Sequence, residues 1–166
     1  DTDSKREVEG ATDLILSSLK HFKIYPTEGF SYGGSYGPYK QSERKDIYQA
    51  YAKKLISEGK AYPCFMSEEE ISEIREGQEL RKEAIGIYGV YAVDRDLSLE
   101  EVKEHLTKGD SYVIRMKSPG DIHKEIVLHD MIKGEIVLPE NIIDEVLLKK
   151  DGIPTYHFAH VIDDHL

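Results

Sequence analysis

The side chains best suited to chemistry lie close together near the end of the sequence. His157, His160 and Asp164 follow one another at spacings of three and four residues in HFAHVIDDH, and on a helix such spacings bring side chains to one face. Imidazole and carboxylate groups bind metals, but this spacing is not the HExxH pattern of zinc enzymes. We therefore expect a surface or core histidine pair at this position, and no metal site.

A nucleophile and a phosphate-binding loop are less well supported. Cys64, the only cysteine, lies in AYPCFMS between apolar residues, which favours a buried structural thiol over a reactive one. The glycines of YGGSYG follow no predicted strand and precede no P-loop lysine. Neither segment predicts catalysis.

Two pairs of carboxylates leave their role open. Asp1 and Asp3 precede the first predicted helix, and Asp163 and Asp164 are adjacent near the last residue. Either pair could serve in acid/base chemistry. The first could equally cap a helix, and the second could form a solvated helix end.

The composition excludes several classes of protein. The 166 residues carry 22 basic and 32 acidic side chains, a net charge of -10, which argues against broad, charge-driven binding of nucleic acid but permits a local basic patch. No apolar run approaches the roughly 18 to 20 residues of a membrane span, and no signal peptide opens the sequence. With its single cysteine, the chain is predicted to be cytoplasmic.

Periodicity and capping residues predict helices first, then a small sheet, then a strand, a turn and a helix. The predicted helices cover 7–19, 42–58, 67–77, 98–109 and the residues from Pro154 onward. The predicted strands cover 85–93, 111–117, 125–130, 134–138 and 144–150, with a tight turn at Lys133 and Gly134. This order indicates an α/β or α+β fold. Strand 144–150 with its turn and helix is typical of half a Rossmann unit, where ligands meet the carboxyl end of the strand.

Four blocks, in order, resemble bacterial glutamyl-tRNA synthetases of class I. The blocks are DTDSKREVEGATDLILSSLKHFKIYPTEGF, YGPYKQSERKDIYQAYAKKLISEGKAYPCF, DRDLSLEEVKEHLTKGDSYVIRMK and LLKKDGIPTYHFAHVIDDHL. The second is similar to the family pattern GPYxQSxRxxxY, and the fourth to DGxPTYxxAxVxDDxxM. Phe30 stands where the family has proline in an EGP-like turn.

The resemblance implies a fold and a division of the chain. It implies part of a Rossmann-type catalytic domain with an inserted mixed α+β subdomain that binds the tRNA acceptor stem. Residues 1–60 would belong to the catalytic region, 61–143 to the insertion, and 144–166 to the return into the catalytic region. It also implies a monomer that activates glutamate with ATP and Mg²⁺ and transfers it to tRNA(Glu).

The resemblance also implies roles for six residues. Tyr156 and His160 match positions at the glutamate site, although some members have asparagine where His160 stands. Asp3 and Arg6 match positions that meet the terminal adenosine of the tRNA. Basic positions that approach the acceptor stem are matched by Arg115 and Lys149.

Other family features are missing from the sequence. No HIGH-type motif precedes the DTD block and no KMSKS-type loop follows DDHL, so we expect an interior fragment that is inactive alone. In the family's zinc variant a Cys-x-Cys pair stands where this chain has Cys64 and Met66. We therefore expect no structural zinc.

Two alternative functions remain open. The chain could be a non-catalytic module that binds RNA acceptor stems, which an HIGH-type motif upstream in the reading frame would argue against. It could also belong to a shorter relative that glutamylates a modified tRNA nucleoside of the queuosine type. That relative usually keeps the zinc cysteines, and their absence disfavours it.

Overall fold

The computed structural model describes residues 8–166, and the predicted capping residues Asp1 to Ser4 lie outside this range. Five helices and five strands occur in this part of the chain. In order they are α1 (Ala11–His21), α2 (Lys45–Ser57), β1 (Ala61–Cys64), α3 (Glu68–Arg81), α4 (Leu99–Lys108), β2 (Val113–Met116), β3 (Glu125–Asp130), β4 (Gly134–Pro139), β5 (Val146–Leu148) and α5 (Tyr156–His165). Short 3-10 helices cover Gln41–Arg44 and Gly89–Tyr91. The mixed α/β class is thus confirmed.

Capping boxes begin both predicted middle helices, as the sequence indicates. In α3, the Ser67 hydroxyl accepts from the Glu70 amide at 3.1 Å, and the Glu70 carboxylate accepts from the Ser67 amide at 2.7 Å. Ser98 and Glu101 form the same pair of bonds at the start of α4. These bonds satisfy amides that a helix start leaves unpaired, and the backbone and hydroxyl donors lower the pKa of Glu70 and of Glu101.

One element boundary and one whole element depart from prediction in the middle of the chain. Gly77 does not close α3, which continues to Arg81, because the buried Gln78 exchanges two hydrogen bonds with the backbone of Gly86 and holds the last turn in place. The predicted strand at 85–93 is also wrong. This stretch forms turns and a 3-10 helix, and Gly89 adopts a positive φ of 50° that interrupts an extended chain.

A three-stranded antiparallel sheet in the order β1, β2, β5 carries the core. β1 was not predicted, because it has only four residues and contains Pro63, which an edge strand tolerates. One face of the sheet packs against α2 and α5. The buried residues of this core are Tyr48, Ala52, Ala61, Ile114, Leu147, Leu148, Phe158, Ala159 and Ile162.

The opposite face of the sheet is polar. Tyr62 and Arg115 are paired across β1 and β2 and are both buried, and beside them Asp144 has no exposed surface. Cys64 is 2% exposed, and burial raises the pKa of its thiol. This confirms the prediction of a structural cysteine.

Strands β3 and β4 form a separate antiparallel hairpin within one residue of the predicted bounds. At its turn the Asp130 carboxylate accepts from the amides of Ile132 and Lys133, and these bonds lower the pKa of Asp130. Gly134 follows with φ of 76°, a conformation that favours glycine. The predicted turn is confirmed.

The predicted strand, turn and helix at the end of the chain are confirmed, with β5 shorter than expected. All strand pairs among residues 8–166 are antiparallel. None of the helices formed by these residues is long and apolar enough to cross a membrane.

Candidate functional site

The start of α5 is tied directly to the backbone of β5. The Thr155 hydroxyl donates to the carbonyl of Val146 at 2.8 Å, and the Thr155 amide donates to that of Leu147 at 2.9 Å. In the intervening turn, the Asp151 carboxylate accepts from the Ile153 amide at 2.9 Å, and Gly152 has φ of 73°. The sheet therefore fixes where α5 begins.

Tyr156 and His160 form an exposed pair of rings on α5. Their centroids lie 5.6 Å apart with an interplanar angle of 16°, so the rings stack one turn apart along the helix. Tyr156 is 61% exposed and the His160 side chain 54%. His160 Nε2 lies 3.2 Å from a carboxylate oxygen of Asp164. The pair presents a hydroxyl and an imidazole to the outside of the helix.

His157 takes a different direction from His160. It lines a cleft of about 720 Å³ together with Thr155, Phe158 and residues of α3. Within residues 8–166 no group of three His, Cys, Asp or Glu side chains could hold a metal ion. The absence of structural zinc stays a prediction.

A network of polar side chains converges on Asp163, one position before Asp164. Gln41 donates to its carboxylate at 2.9 Å and the Tyr48 hydroxyl at 2.8 Å, while Arg44 Nε lies 2.9 Å away in an ion pair. Burial and the neighbouring carboxylate raise the pKa of Tyr48, so its hydroxyl stays a donor. The two adjacent carboxylates thus have separate partners.

Arg44 also fixes the loop that precedes its helix. Its guanidinium is nearly buried and donates at 2.9 Å to the carbonyls of both Tyr36 and Pro38. Within the loop, the Glu28 carboxylate accepts from the Tyr39 hydroxyl and from the Tyr36 amide, and these bonds lower the pKa of Glu28. The glycine-rich loop is therefore ordered by side-chain hydrogen bonds.

The predicted RNA-contacting residues lie in different surroundings. Arg115 is only 7% exposed and donates to the carbonyl of Asp144 at 2.9 Å. This buried position on the polar face of the sheet does not favour contact with a phosphate. Lys149 is partly exposed and lines a cavity of about 300 Å³ with Lys53 and Lys150. Asp3 and Arg6 lie outside the described residues.

Sequence reasoning did not find the polar network. Its signal was present, however, in the spacings of three and four residues between Gln41, Arg44 and Tyr48, which place three hydrogen-bonding groups on one helical face. The buried Asp144 carries no comparable signal, because its partners come from distant parts of the chain.

Comparison with known protein families shows which family the chain belongs to. Residues 1–166 match the family described as tRNA synthetases class I (E and Q), catalytic domain. The chain belongs to this family. The resemblance carried by the four sequence blocks is thereby confirmed.

Similar members of the class I synthetase family carry one name. A protein from Clostridium perfringens strain 13, named glutamate–tRNA ligase, is 54% identical over 170 aligned residues. Another of that name, from Acetivibrio thermocellus, is 52% identical over 169. Each alignment covers all of this chain and 31% of the relative. The chain therefore spans about a third of the length of these curated relatives.

Solved class I synthetase structures share the fold. The crystal structure of a glutamate tRNA ligase from Elizabethkingia meningosepticum in complex with its amino acid superposes with a TM-score of 0.85 at 40% identity. A glutamate-tRNA synthetase from Elizabethkingia anophelis gives a TM-score of 0.83 at 40% identity. Both comparisons cover 99% of this chain and 34% of the other. Class I synthetases in general use ATP with Mg²⁺.

Proposed function

We propose that the protein containing this chain is a glutamate–tRNA ligase, which activates glutamate with ATP and Mg²⁺ and transfers it to the 3′ end of tRNA(Glu). The observation that carries the proposal is the 54% identity, over the whole chain, to a protein of that name. A solved neighbour described with its amino acid bound adds support, because it covers 99% of this chain.

Within this function, Tyr156 and His160 contact the glutamate substrate. Glutamate carries one ammonium and two carboxylate groups, each of which needs hydrogen-bonding partners when it leaves water. The exposed hydroxyl and imidazole of the stacked pair supply such partners. Their attachment to α5, whose start is bonded to the sheet, gives these groups a fixed position.

The acceptor end of the tRNA is bound by basic side chains of the same protein. Lys149, with Lys53 and Lys150 around one cavity, forms a local positive surface on a chain of net charge -10. A few such lysines neutralise phosphates and make affinity depend on salt. Asp3 and Arg6 meet the terminal adenosine.

The chain has three functional parts in this proposal. Residues 1–60 and 144–166 belong to the catalytic region, and 61–143 form the insertion that meets the acceptor stem. The protein works as a cytoplasmic monomer, without structural zinc.

Charging of tRNA tests the proposal. The product of the full reading frame is incubated with labelled glutamate, unfractionated tRNA, Mg²⁺ and ATP, and acid-insoluble label is counted. ATP-dependent labelling with glutamate, and not with aspartate, is expected. Absence of labelling with active tRNA would overturn the proposal.

A second step locates the glutamate on the tRNA. Ribonuclease A cleaves after the cytidine that precedes the terminal adenosine, so glutamate at the 3′ end is released as glutamyl-adenosine. Label that stays on an internal nucleotide would instead support the enzyme that modifies a nucleoside.

A further inference from the structure

The carboxylate of Asp163 is the point at which three polar side chains from another segment of the chain meet. Its two oxygens meet Gln41, Arg44 and Tyr48, all within 3.0 Å. These three donors come from one face of the segment 41–48, whereas Asp163 comes from α5. The carboxylate therefore links two elements that are far apart in sequence.

This link restricts rotation of α5 about its own axis, which the apolar core restricts only weakly. Phe158, Ala159 and Ile162 hold α5 to the core, but apolar contact is non-directional and sets rotation about the helix axis only weakly. Hydrogen bonds and an ion pair with defined geometry restrict that rotation. The network thus sets which way the other side chains of α5 point.

Tyr156 and His160 share the face of α5 that Asp163 occupies. Asp163 lies seven residues, or about two turns, after Tyr156 and three after His160. A rotation of α5 that displaced Asp163 from its donors would swing both rings by the same angle. The position of the ring pair is therefore coupled to the network.

The geometry points to Asp163 as a positioning residue for the amino-acid site. With Gln41, Arg44 and Tyr48, it holds α5 so that Tyr156 and His160 face the glutamate substrate. This inference rests on the proposed function, because Asp163 is argued to act through Tyr156 and His160, which the proposed function assigns to glutamate binding.

The neighbouring carboxylate does not share this task. Asp164 is 70% exposed and pairs with His160, at 3.2 Å. Asp163 is 26% exposed and meets residues of another helix. One carboxylate of the pair thus holds the helix, and the other contacts a ring on its surface.

The test compares Michaelis constants of the full-length protein in tRNA charging. Asp163→Asn keeps the shape of the side chain but removes its charge, and we expect KM for glutamate to rise about tenfold while KM for ATP stays within about twofold. Asp46→Asn, which removes an exposed carboxylate from α2, is the matched control and should leave both constants unchanged.

A merely structural role would give a different pattern. Loss of folded protein lowers the active fraction and hence kcat, and leaves both Michaelis constants as they were. That pattern, or an equal rise in both constants, would overturn the inference. If Asp163→Asn does not fold, Tyr48→Phe decides by the same criterion, with a rise of about threefold in KM for glutamate expected.

The same experiment separates the two proposals. A wild-type protein that does not charge tRNA with glutamate contradicts the proposed function itself. A wild-type protein that does, combined with an unchanged KM for glutamate in Asp163→Asn, or in Tyr48→Phe where the first variant does not fold, contradicts only the role of Asp163.

Discussion

Tyr62 donates a 2.9 Å hydrogen bond to Asp144, a carboxylate with no exposed surface. The same carboxylate accepts from the Ser118 amide at 2.7 Å and lies 3.3 Å from Arg95. Burial and the charge of Asp144 raise the pKa of Tyr62, so the phenol remains a donor. One buried charge thus joins β1 to two loops on the polar face of the sheet.

We expect Tyr62→Phe to lower the free energy of unfolding by about 1–3 kcal/mol, because it leaves one oxygen of a buried carboxylate without its donor. Urea denaturation followed by circular dichroism measures the change. Tyr25→Phe, at a residue 65% exposed, is the matched control and should change stability by less than about 0.5 kcal/mol. Equal effects of the two substitutions would refute the assignment.

Substitutions at Arg115 and at Lys149 should have different effects, the first on stability and the second on affinity for RNA. Arg115→Ala removes a buried donor to Asp144 and should lower the free energy of unfolding by about 1–3 kcal/mol. Lys149→Ala should leave stability nearly unchanged, weaken binding of tRNA, and reduce the slope of log affinity against log salt by about one. Filter binding at several salt concentrations measures the slope, and an unchanged slope would contradict the predicted phosphate contact.

The capping box of α4 predicts that the stability of the fold depends on pH. The pKa of Glu101 is lowered in the folded state by its bonds to Ser98, so its contribution to stability is present above the unfolded pKa and is lost as pH falls through the folded value. Glu101→Gln should therefore be less stable than wild type at pH 7, and the difference should narrow below about pH 4. Unfolding curves at pH 7 and pH 3 measure it, and a constant difference would contradict this cause.

Two glycines should respond to alanine in opposite directions. Gly120→Ala would place a Cβ 2.0 Å from the backbone oxygen of Asn141 and should destabilise the fold strongly. Gly77→Ala, inside α3, meets only the flexible end of Arg81 and should stabilise by about 0.5–1 kcal/mol. Thermal denaturation compares the two, and a stabilising Gly120→Ala would contradict the packing described.

The isolated chain should not form glutamyl adenylate. The HIGH-type and KMSKS-type motifs, which supply donors to the ATP phosphates in the class, are not part of its sequence. Single-turnover incubation of residues 1–166 with ATP, glutamate and tRNA measures adenylate, with the full-length protein as positive control. Adenylate at the level of that control would disprove the prediction.

Local signals predicted much of the fold. The capping boxes at Ser67 and Ser98 and the hairpin turn before Gly134 act through residues a few positions apart, so the sequence displays them directly. The end of α3 depends on a side-chain contact of Gln78 with the backbone of Gly86, and the strand β1 on a contact between Tyr62 and the distant Asp144. Neither contact follows from helix or strand periodicity, and there the predictions were wrong or missing.

The candidate site was predicted in part for the same reason. Tyr156 and His160 were identified from a resemblance, and their stacking follows from their spacing on α5. The burial of Arg115 was not foreseen, because alternation along β2 does not tell which face of the sheet another segment covers.

Arg44 has consequences for how this protein can vary. An exchanged pair, Arg44→Asp with Asp163→Arg, would restore opposite charges but leave the carbonyls of Tyr36 and Pro38 without their donor. A substitution at one of the two positions therefore cannot be compensated by a charge-reversing substitution at the other. Sequences that descend from this chain should retain arginine at position 44 even where its ionic partner has been replaced.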